Sequence, residues 1–409
     1  MENSFKPANA DQLHDIIGWA AAEETSLDVI GSGTKQGLGR PSQSECLLDL
    51  SDLTGITSYE PEELVLQAAA GTPVADIERA VAERDQQLAF EPADYGPLFG
   101  AAADSGSIGG VFACNLSGPR RIMAGAARDH LLGAKAVSGR GERFKSGGQV
   151  VKNVTGYDLC KLLAGSYGTL AAIHDVTMKV MPAPEKVRTV LVLGLDDAAA
   201  VGLLGEAAAS GFDLSGLAHL PREISGYSSV SYVAEADASV TALRLEGPAP
   251  SVEHRCEEVK KWVAARAPVE ELHRHNSIAL WREVRDITAF AADPWSSHSI
   301  WRLSVPPASG ADVVRKIAET LTARWLFDWA GGLVWLACDT APADDVAPIR
   351  AAVAGVGGHA TLVRATADAR AAVPVFQPQS PALADLSRRV KENFDPEGIL
   401  NPGRMYSEV

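Results

Sequence analysis

Three runs of small residues carry the clearest chemistry in this sequence. The first, Gly31-Ser-Gly-Thr-Lys-Gln-Gly-Leu-Gly39, follows a short apolar stretch. Glycines there permit positive φ and a close backbone approach, so successive N–H groups can wrap an anion such as a phosphate. A Rossmann fingerprint is the obvious rival, and Asp49 lies at about the distance of a ribose-binding acid. The spacing, however, is G-x-G-x-x-x-G-x-G, and residues 37–45, with Pro41, show no helical period. A Rossmann loop must open a helix whose N-terminus faces the pyrophosphate, so that reading fails. Taken alone, the loop reads equally well as a surface turn.

The second run, Ser105-Gly-Ser-Ile-Gly-Gly-Val-Phe-Ala-Cys-Asn-Leu-Ser-Gly-Pro119, gives a backbone able to lie flat against a large planar or phosphorylated ligand. Its serines and Asn115 supply a few convergent polar groups. The third, Gly156-Tyr-Asp158 followed by Leu162-Leu-Ala-Gly-Ser-Tyr-Gly-Thr-Leu170, reads as a helix ending at Gly165 and turning at Gly168 into a strand over 171–180. That turn can close the same pocket. Each run is a weak signal singly, and the three in this order reinforce one another.

The elements that must position these runs follow from periodicity and punctuation. Residues 9–24 form an amphipathic helix with Leu13, Ile16, Ile17 and Ala20 on one side and Asn9 or Asp11 as cap. Strands are expected at 27–30, 46–50 and 64–69, then a helix from Pro73 to about Arg84. Met181-Pro-Ala-Pro184 marks the exit from a first domain, because two prolines stop a strand and stiffen the crossing. Beyond it come a strand at 187–195, an Ala-rich helix at 196–210 closed by Gly211, a strand at 240–245, a helix at 251–266, a strand at 299–305 and a helix at 309–323. Trp325-Leu-Phe-Asp-Trp329 and Leu333 to Ala337 flank Gly331-Gly332 as a hairpin, read chiefly as a buried sheet and otherwise as a partner surface. A last helix over 382–394 leads into an extended tail. The organisation expected is 1–184 as one α+β domain, 185–372 as a smaller α+β cap, and 373–409 as a segment returning to the first domain.

Composition narrows the class. A chain of 409 residues with 46% apolar and 22% charged residues is a folded protein of about two domains. A formal net charge of −15 argues against a nucleic-acid surface, which needs clustered Lys and Arg. No apolar stretch reaches the roughly 20 residues of a membrane span, and the N-terminal residues lack a signal-peptide core. Cytoplasmic residence is therefore expected, with peripheral membrane contact only through a partner or a local patch. The five cysteines (Cys46, Cys114, Cys160, Cys256 and Cys338) form no C-x-x-C pair, so no sequence-local metal or iron–sulfur site is expected.

With Gly125, Arg128-Asp129 and the ending Asn393-Phe-Asp-Pro-Glu-Gly-Ile-Leu-Asn-Pro-Gly-Arg404, the three runs resemble the PCMH-type FAD domain of the vanillyl-alcohol-oxidase family. The ending is similar to that of its D-lactate dehydrogenase and glycolate oxidase branch, and the short cap with Leu280-Trp-Arg282 and Ile300-Trp-Arg302 to the smaller FAD-binding subunits of that branch. The resemblance implies FAD held by Gly31, Ser32, Gly33, Thr34, Lys35 and Gln36 around the pyrophosphate. It places Pro92, Gly106, Ser107, Ile108, Gly109, Gly110, Asn115, Ser117, Gly118, Tyr157, Asp158 and Gly168 at the cofactor, Ile173 at the adenine, and Asn401 and Arg404 at the flavin edge. It also implies a heteromeric glycolate oxidase, with a larger FAD-containing subunit and an iron–sulfur subunit as partners. The alternative is a stand-alone flavoenzyme oxidising a small 2-hydroxy acid such as D-lactate. No His lies in or beside the 31–39 loop, so the FAD is expected to be non-covalent; Cys114 is read as a small buried hydrophobe rather than an attachment point.

Oxidising a 2-hydroxy acid at a flavin needs a cation on the carboxylate, best a bidentate Arg, and a base for the hydroxyl proton. Arg282, Arg302 and Arg364 are the candidate carboxylate ligands. Against that, the two Trp-Arg pairs read as a cap sheet in which Trp packs and Arg pairs with acids such as Glu283 or Asp286. The family's cap histidine cluster is missing; His273, His275 and His359 stand isolated and read as surface residues.

Overall fold

The computed structural model describes residues 3–148, 157–339 and 341–407. Its chain divides into two compact units, one of Met1–Ser117, Gly125–Pro182 and Pro374–Val409, the other of Gly118–Ala124 and Ala183–Val373. Both mix helix and sheet, as the α+β reading requires.

In the first unit Asn9 caps the helix Ala10–Ala22 by accepting from Asp11 N and Gln12 N, which satisfies two donors the helix leaves open. Leu13, Ile17 and Ala20 recur on one face and are buried beside a three-stranded parallel sheet of Asn3–Phe5, Cys46–Asp49 and Leu27–Ile30. A second, antiparallel sheet runs in the order Ile56–Glu60, Val65–Ala69, Ala171–Lys179, Leu131–Ser138, Arg143–Gly147. Its central strand, Ala171–Lys179, is buried at seven successive-face positions out of nine, the signature of a strand covered on both sides. The tail is not simply extended: Leu400 bridges Leu27 in parallel, adding a fourth strand position to the first sheet, and the chain then turns at Asn401.

The second unit is built on one eight-stranded antiparallel sheet. Its order is Val269–His273, Lys186–Leu193, Val240–Gly247, Leu214–Leu220, Ala323–Asp328, Leu333–Cys338, Ser299–Ser304, His359–Arg364. The helices Asp197–Ala208 and Ala249–Val263 bury Leu203, Leu204, Val252, Val259 and Val263 against Val190, Val192, Leu217 and Leu243 on one face. The 323–338 hairpin lies near the middle of the sheet and Leu333–Cys338 is wholly buried, so it is a core element and not a partner surface. Its turn takes Trp329 and Ala330, with Gly331, through positive φ.

Several sequence expectations need correction. Leu280-Trp-Arg282 lies on the helix Arg274–Asp286, not in a sheet, and only Ile300-Trp-Arg302 is on a strand. The helix expected at 309–323 is shorter, Gly310–Ala318. Gly211 does not close the Ala-rich helix, which ends at an Ala209 cap; the left-handed residue there is Asp213. The strands Leu131–Ser138, Leu214–Leu220 and His359–Arg364 and the helix Pro342–Ala354 were not anticipated.

Candidate functional site

A cavity in the first unit gathers the glycine runs. Its empty space, with the solvent in its open mouth counted, is about 740 Å³. Residues Gly31 to Gln36 all line it as they leave the Leu27–Ile30 strand. Opposite lie Ser107, Gly109 and Gly110 at the start of the helix Ile108–Cys114, then Gly168 and Ile173 from the turn into the central strand. Backbone closeness explains the glycines. A Cβ on Gly31 would stand 2.3 Å from Ser107 Oγ, and one on Gly109 would stand 2.7 Å from Ala70 Cβ and 2.8 Å from its carbonyl oxygen.

The tail completes the wall. Asn401, at φ 44°, accepts from Val29 N at 2.6 Å and donates to Tyr167 O at 2.6 Å, tying the first strand to the Gly168 turn. Arg404 donates to the carbonyls of Lys35 (3.3 Å) and Gln36 (3.0 Å), holding the glycine loop from behind. Beneath this lies a buried anchor. Lys391 Nζ donates to Thr169 O, Leu400 O and Asp395, whose carboxylate also accepts from Ile399 N and Leu400 N.

The electrostatics favour an anion. Among the described residues Lys35 and Arg404 line the cavity and no carboxylate does, on a chain that is strongly acidic overall. Burial pushes the Lys35 ammonium below its ordinary value, against the pull of Cys114 and Asp94; its hydrogen bond to Thr34 Oγ1 is a long one, 3.3 Å. A desolvated cation of this kind gains most from a phosphate placed beside it. The Cys114 thiol also faces the cavity, and burial pushes it up to about 11, so it is protonated and a poor nucleophile at neutral pH.

Other expected cofactor residues stand elsewhere. Ile108 is fully buried under the helix, and Gly106 sits behind the wall, where a Cβ would meet Lys35 Nζ at 3.0 Å. Pro92 is buried outside the lining. Asn115 ends the helix at φ 51° and accepts from Arg128 N, while Ser117 accepts from Ala127 N. Gly118 belongs to the second unit, where its carbonyl accepts from Trp329 Nε1. Tyr157 is 91% exposed and Asp158 caps the helix Leu159–Leu163, so neither lines the cavity; Gly156 lies outside the described residues. Sequence reasoning missed Val29, Leu50, Ala70 and Ala171, apolar lining that carries no chemical signature, whereas Ala113 and Tyr167 lie within the second and third small-residue runs.

In the second unit the three arginines are dispersed. Arg364 donates to the carbonyls of His298, Phe290 and Trp295, so all three guanidinium nitrogens serve the backbone. Arg282 is exposed on its helix beside Glu283 and Asp286, but those acids are held by Ser228 and Ser229 and by Arg285, not by Arg282. Arg302 lies 5.1 Å from the centre of the Trp329 ring. Trp281 and Trp301 are buried, as packing residues should be. Among the described residues no group of three or more His, Cys, Asp or Glu is placed to hold a metal ion, and no helix is long and apolar enough to cross a membrane.

Comparison with known proteins agrees with this geometry. The FAD binding domain family matches residues 3–147, and the C-terminal domain of FAD linked oxidases matches residues 376–405, the tail that closes the cavity. Glycolate oxidase subunit GlcE of Escherichia coli (strain K12) is 33% identical over 400 residues, covering 97% of both chains. Glycolate oxidase subunit GlcD of Bacillus subtilis (strain 168) is 25% identical over 426 residues, covering 98% of this chain and 88% of that one. The solved structure of p-cresol methylhydroxylase superposes with a TM-score of 0.72 at 13% identity, over 99% of this chain and 88% of that one. At that identity the likeness speaks to the fold, and the fold is of the PCMH type.

Proposed function

Because the chain belongs to the GlcE family of glycolate oxidase subunits, we propose that it is the FAD-carrying component of a heteromeric glycolate oxidase, an FAD-dependent 2-hydroxy-acid oxidoreductase. The observation that carries this reading is the glycine-walled cavity with two cations and no carboxylate among its described residues, closed by the 399–404 tail. The residues present fit FAD. Glycines at 31 and 109 let the loop and the helix pack closely on Ser107 and Ala70 as walls of the cavity, Lys35 supplies the charge a pyrophosphate needs, and Ile173 and Ala171 offer apolar surface for a ring. Bound FAD supplies the two-electron acceptor for a C–H bond beside a carboxylate. The chain's own residues bind it, orient it and exclude water through the tail.

Attachment is non-covalent, since the cavity's one thiol is protonated and the loop offers Lys35 where a histidine would be needed. The partners are a larger FAD-containing subunit and an iron–sulfur subunit that takes the electrons onward, a reading supported by relatives that are themselves named as subunits of glycolate oxidase. The complex resides in the cytoplasm and meets the membrane only through a partner. The rival reading is a free-standing oxidoreductase of a small 2-hydroxy acid such as D-lactate.

Purification of the chain alone and with its neighbours tests this. Yellow protein whose FAD is released by acid, and which co-purifies with a second flavoprotein and an iron–sulfur protein, is expected. A chain that binds no added FAD would overturn the cofactor reading. One that turns over D-lactate rapidly as a monomer would establish the rival.

A further inference from the structure

The second unit holds a pair of polar side chains that the fold leaves without work. The strand Ser299–Ser304 runs between Leu333–Cys338 and His359–Arg364, and its register sets Arg302 opposite Trp335 and Thr361, and Ser304 opposite His359. Side chains alternate across a sheet, so Arg302, Ser304, Thr361 and His359 share one face, together with the buried Trp335 and Leu333 of the neighbouring strand. The other face belongs to the core: Trp301, Leu303, Ala360 and Leu362 are buried there, with Arg350 of the helix Pro342–Ala354 placed 5.6 Å from the Trp301 ring.

On the polar face Arg302 is only partly buried and makes no hydrogen bond or ion pair with a described residue; its contact is the Trp329 ring. Arg121, also 4.3 Å from that ring, adds a second guanidinium charge. This sets Arg302 apart from Arg364, spent on three carbonyls, and from Arg244 and Arg120, which share Glu246. It also sets it apart from Arg282, whose neighbours Glu283 and Asp286 would repel a carboxylate. His359 likewise has no hydrogen-bond partner among the described residues. Although His359 is exposed, loss of solvent around the ring, then the charges of Arg302, Arg121 and Arg350, hold it below the ordinary imidazole range, so at neutral pH one ring nitrogen is an acceptor.

We propose that Arg302 and His359 form a 2-hydroxy-acid site on the polar face of this sheet, Arg302 taking the carboxylate and His359 accepting from the hydroxyl. A guanidinium fork matches a carboxylate in a bidentate manner, and a neutral imidazole suits a hydroxyl donor. The inference rests on the reading of the chain as a glycolate oxidase component and deepens it, because this chain then binds substrate itself rather than leaving that to a partner.

The test is calorimetry on the full-length, FAD-loaded chain without oxygen, with glycolate and acetate as probes. Glycolate is expected to bind more tightly than acetate. Arg302→Gln should weaken both by roughly tenfold to a hundredfold, as for a lost charged hydrogen bond, and Arg302→Lys by less, since an ammonium cannot fork. His359→Gln should erase the preference for glycolate and leave acetate unchanged. Absence of saturable glycolate binding to the FAD-loaded wild type, or wild-type affinity in Arg302→Gln, overturns the proposal. Flavin content, thermal midpoint and co-purification are read on the same samples. A chain that loads FAD and joins its complex yet ignores glycolate refutes this site and leaves the function standing, whereas one that never loads FAD overturns both.

Discussion

Asn401 ties two walls of the cofactor cavity to each other. Replacing it by alanine leaves Val29 N–H and Tyr167 C=O without their partners, both at 2.6 Å in the wild type and both partly buried. Each orphaned group costs about 1–3 kcal/mol, and alanine at φ 44° adds about 1 kcal/mol of left-handed strain that asparagine tolerates better. The loss should be roughly 3–7 kcal/mol, a large share of a typical domain's stability. Denaturant unfolding of the FAD-loaded protein, followed by flavin fluorescence, measures it, together with the FAD dissociation constant. Asn401→Gly separates the causes, because it removes the strain but not the lost bonds and so should recover only about 1 kcal/mol. Asn401→Asp keeps the acceptor for Val29 N–H while turning a carboxylate oxygen toward the Tyr167 carbonyl, and should do no better than glycine. Wild-type stability and FAD affinity in Asn401→Gly would refute the argument, since the side-chain bonds would then contribute nothing.

Three further outcomes are expected. Gly109→Ala should lose FAD and about 1–3 kcal/mol of stability, because its methyl would press on the Ala70 backbone; flavin content after gel filtration reports it. Lys35→Met should weaken FAD roughly ten- to a hundredfold and flatten the salt dependence of binding, as a fluorescence titration at two ionic strengths will show. In the second unit burial alone would raise the Glu246 carboxyl, but Arg244 and Arg120 prevail and hold it at about 2, against an ordinary 4.5. A depressed folded-state value means stability that is present above pH 4.5 and lost as pH falls toward 2, worth about 3 kcal/mol, so Glu246→Gln should destabilise the neutral protein and flatten that acid limb in unfolding measured against pH.

The elements that could be read from sequence are those with local signals. The Ala10–Ala22 helix announces itself by the Asn9 cap and the Leu13–Ile17–Ala20 stripe, and the 31–36 loop by glycines that no ordinary strand or helix would carry. Leu214–Leu220 was illegible because all seven residues are buried and nothing alternates; Leu131–Ser138 failed for the same reason, with Gly133 and two alanines diluting its strand character. Leu280-Trp-Arg282 and Ile300-Trp-Arg302 look alike over three residues, too short a window to show whether the period is 3.6 or 2. Much of the cavity wall was invisible for a different reason. Val29, Leu50 and Ala70 are ordinary residues locally, and they meet only because a parallel sheet, an antiparallel sheet and the tail converge. The Arg302–His359 juxtaposition is likewise a matter of strand register, which no spacing along the chain encodes.

The bond from Asn401 to Tyr167 spans 234 residues, and all of the second unit except Gly118–Ala124 is encoded between its ends. At about 5–20 residues per second of synthesis, the ribosome takes on the order of 10–50 s to travel from one to the other. For that interval the glycine loops have emerged but lack the wall that Asn401 and Arg404 supply, so tight flavin loading waits until translation has passed the last turn. A polypeptide truncated within the second unit would therefore bind FAD poorly even with its glycine motifs intact, which makes cofactor occupancy a built-in report that synthesis has passed Arg404.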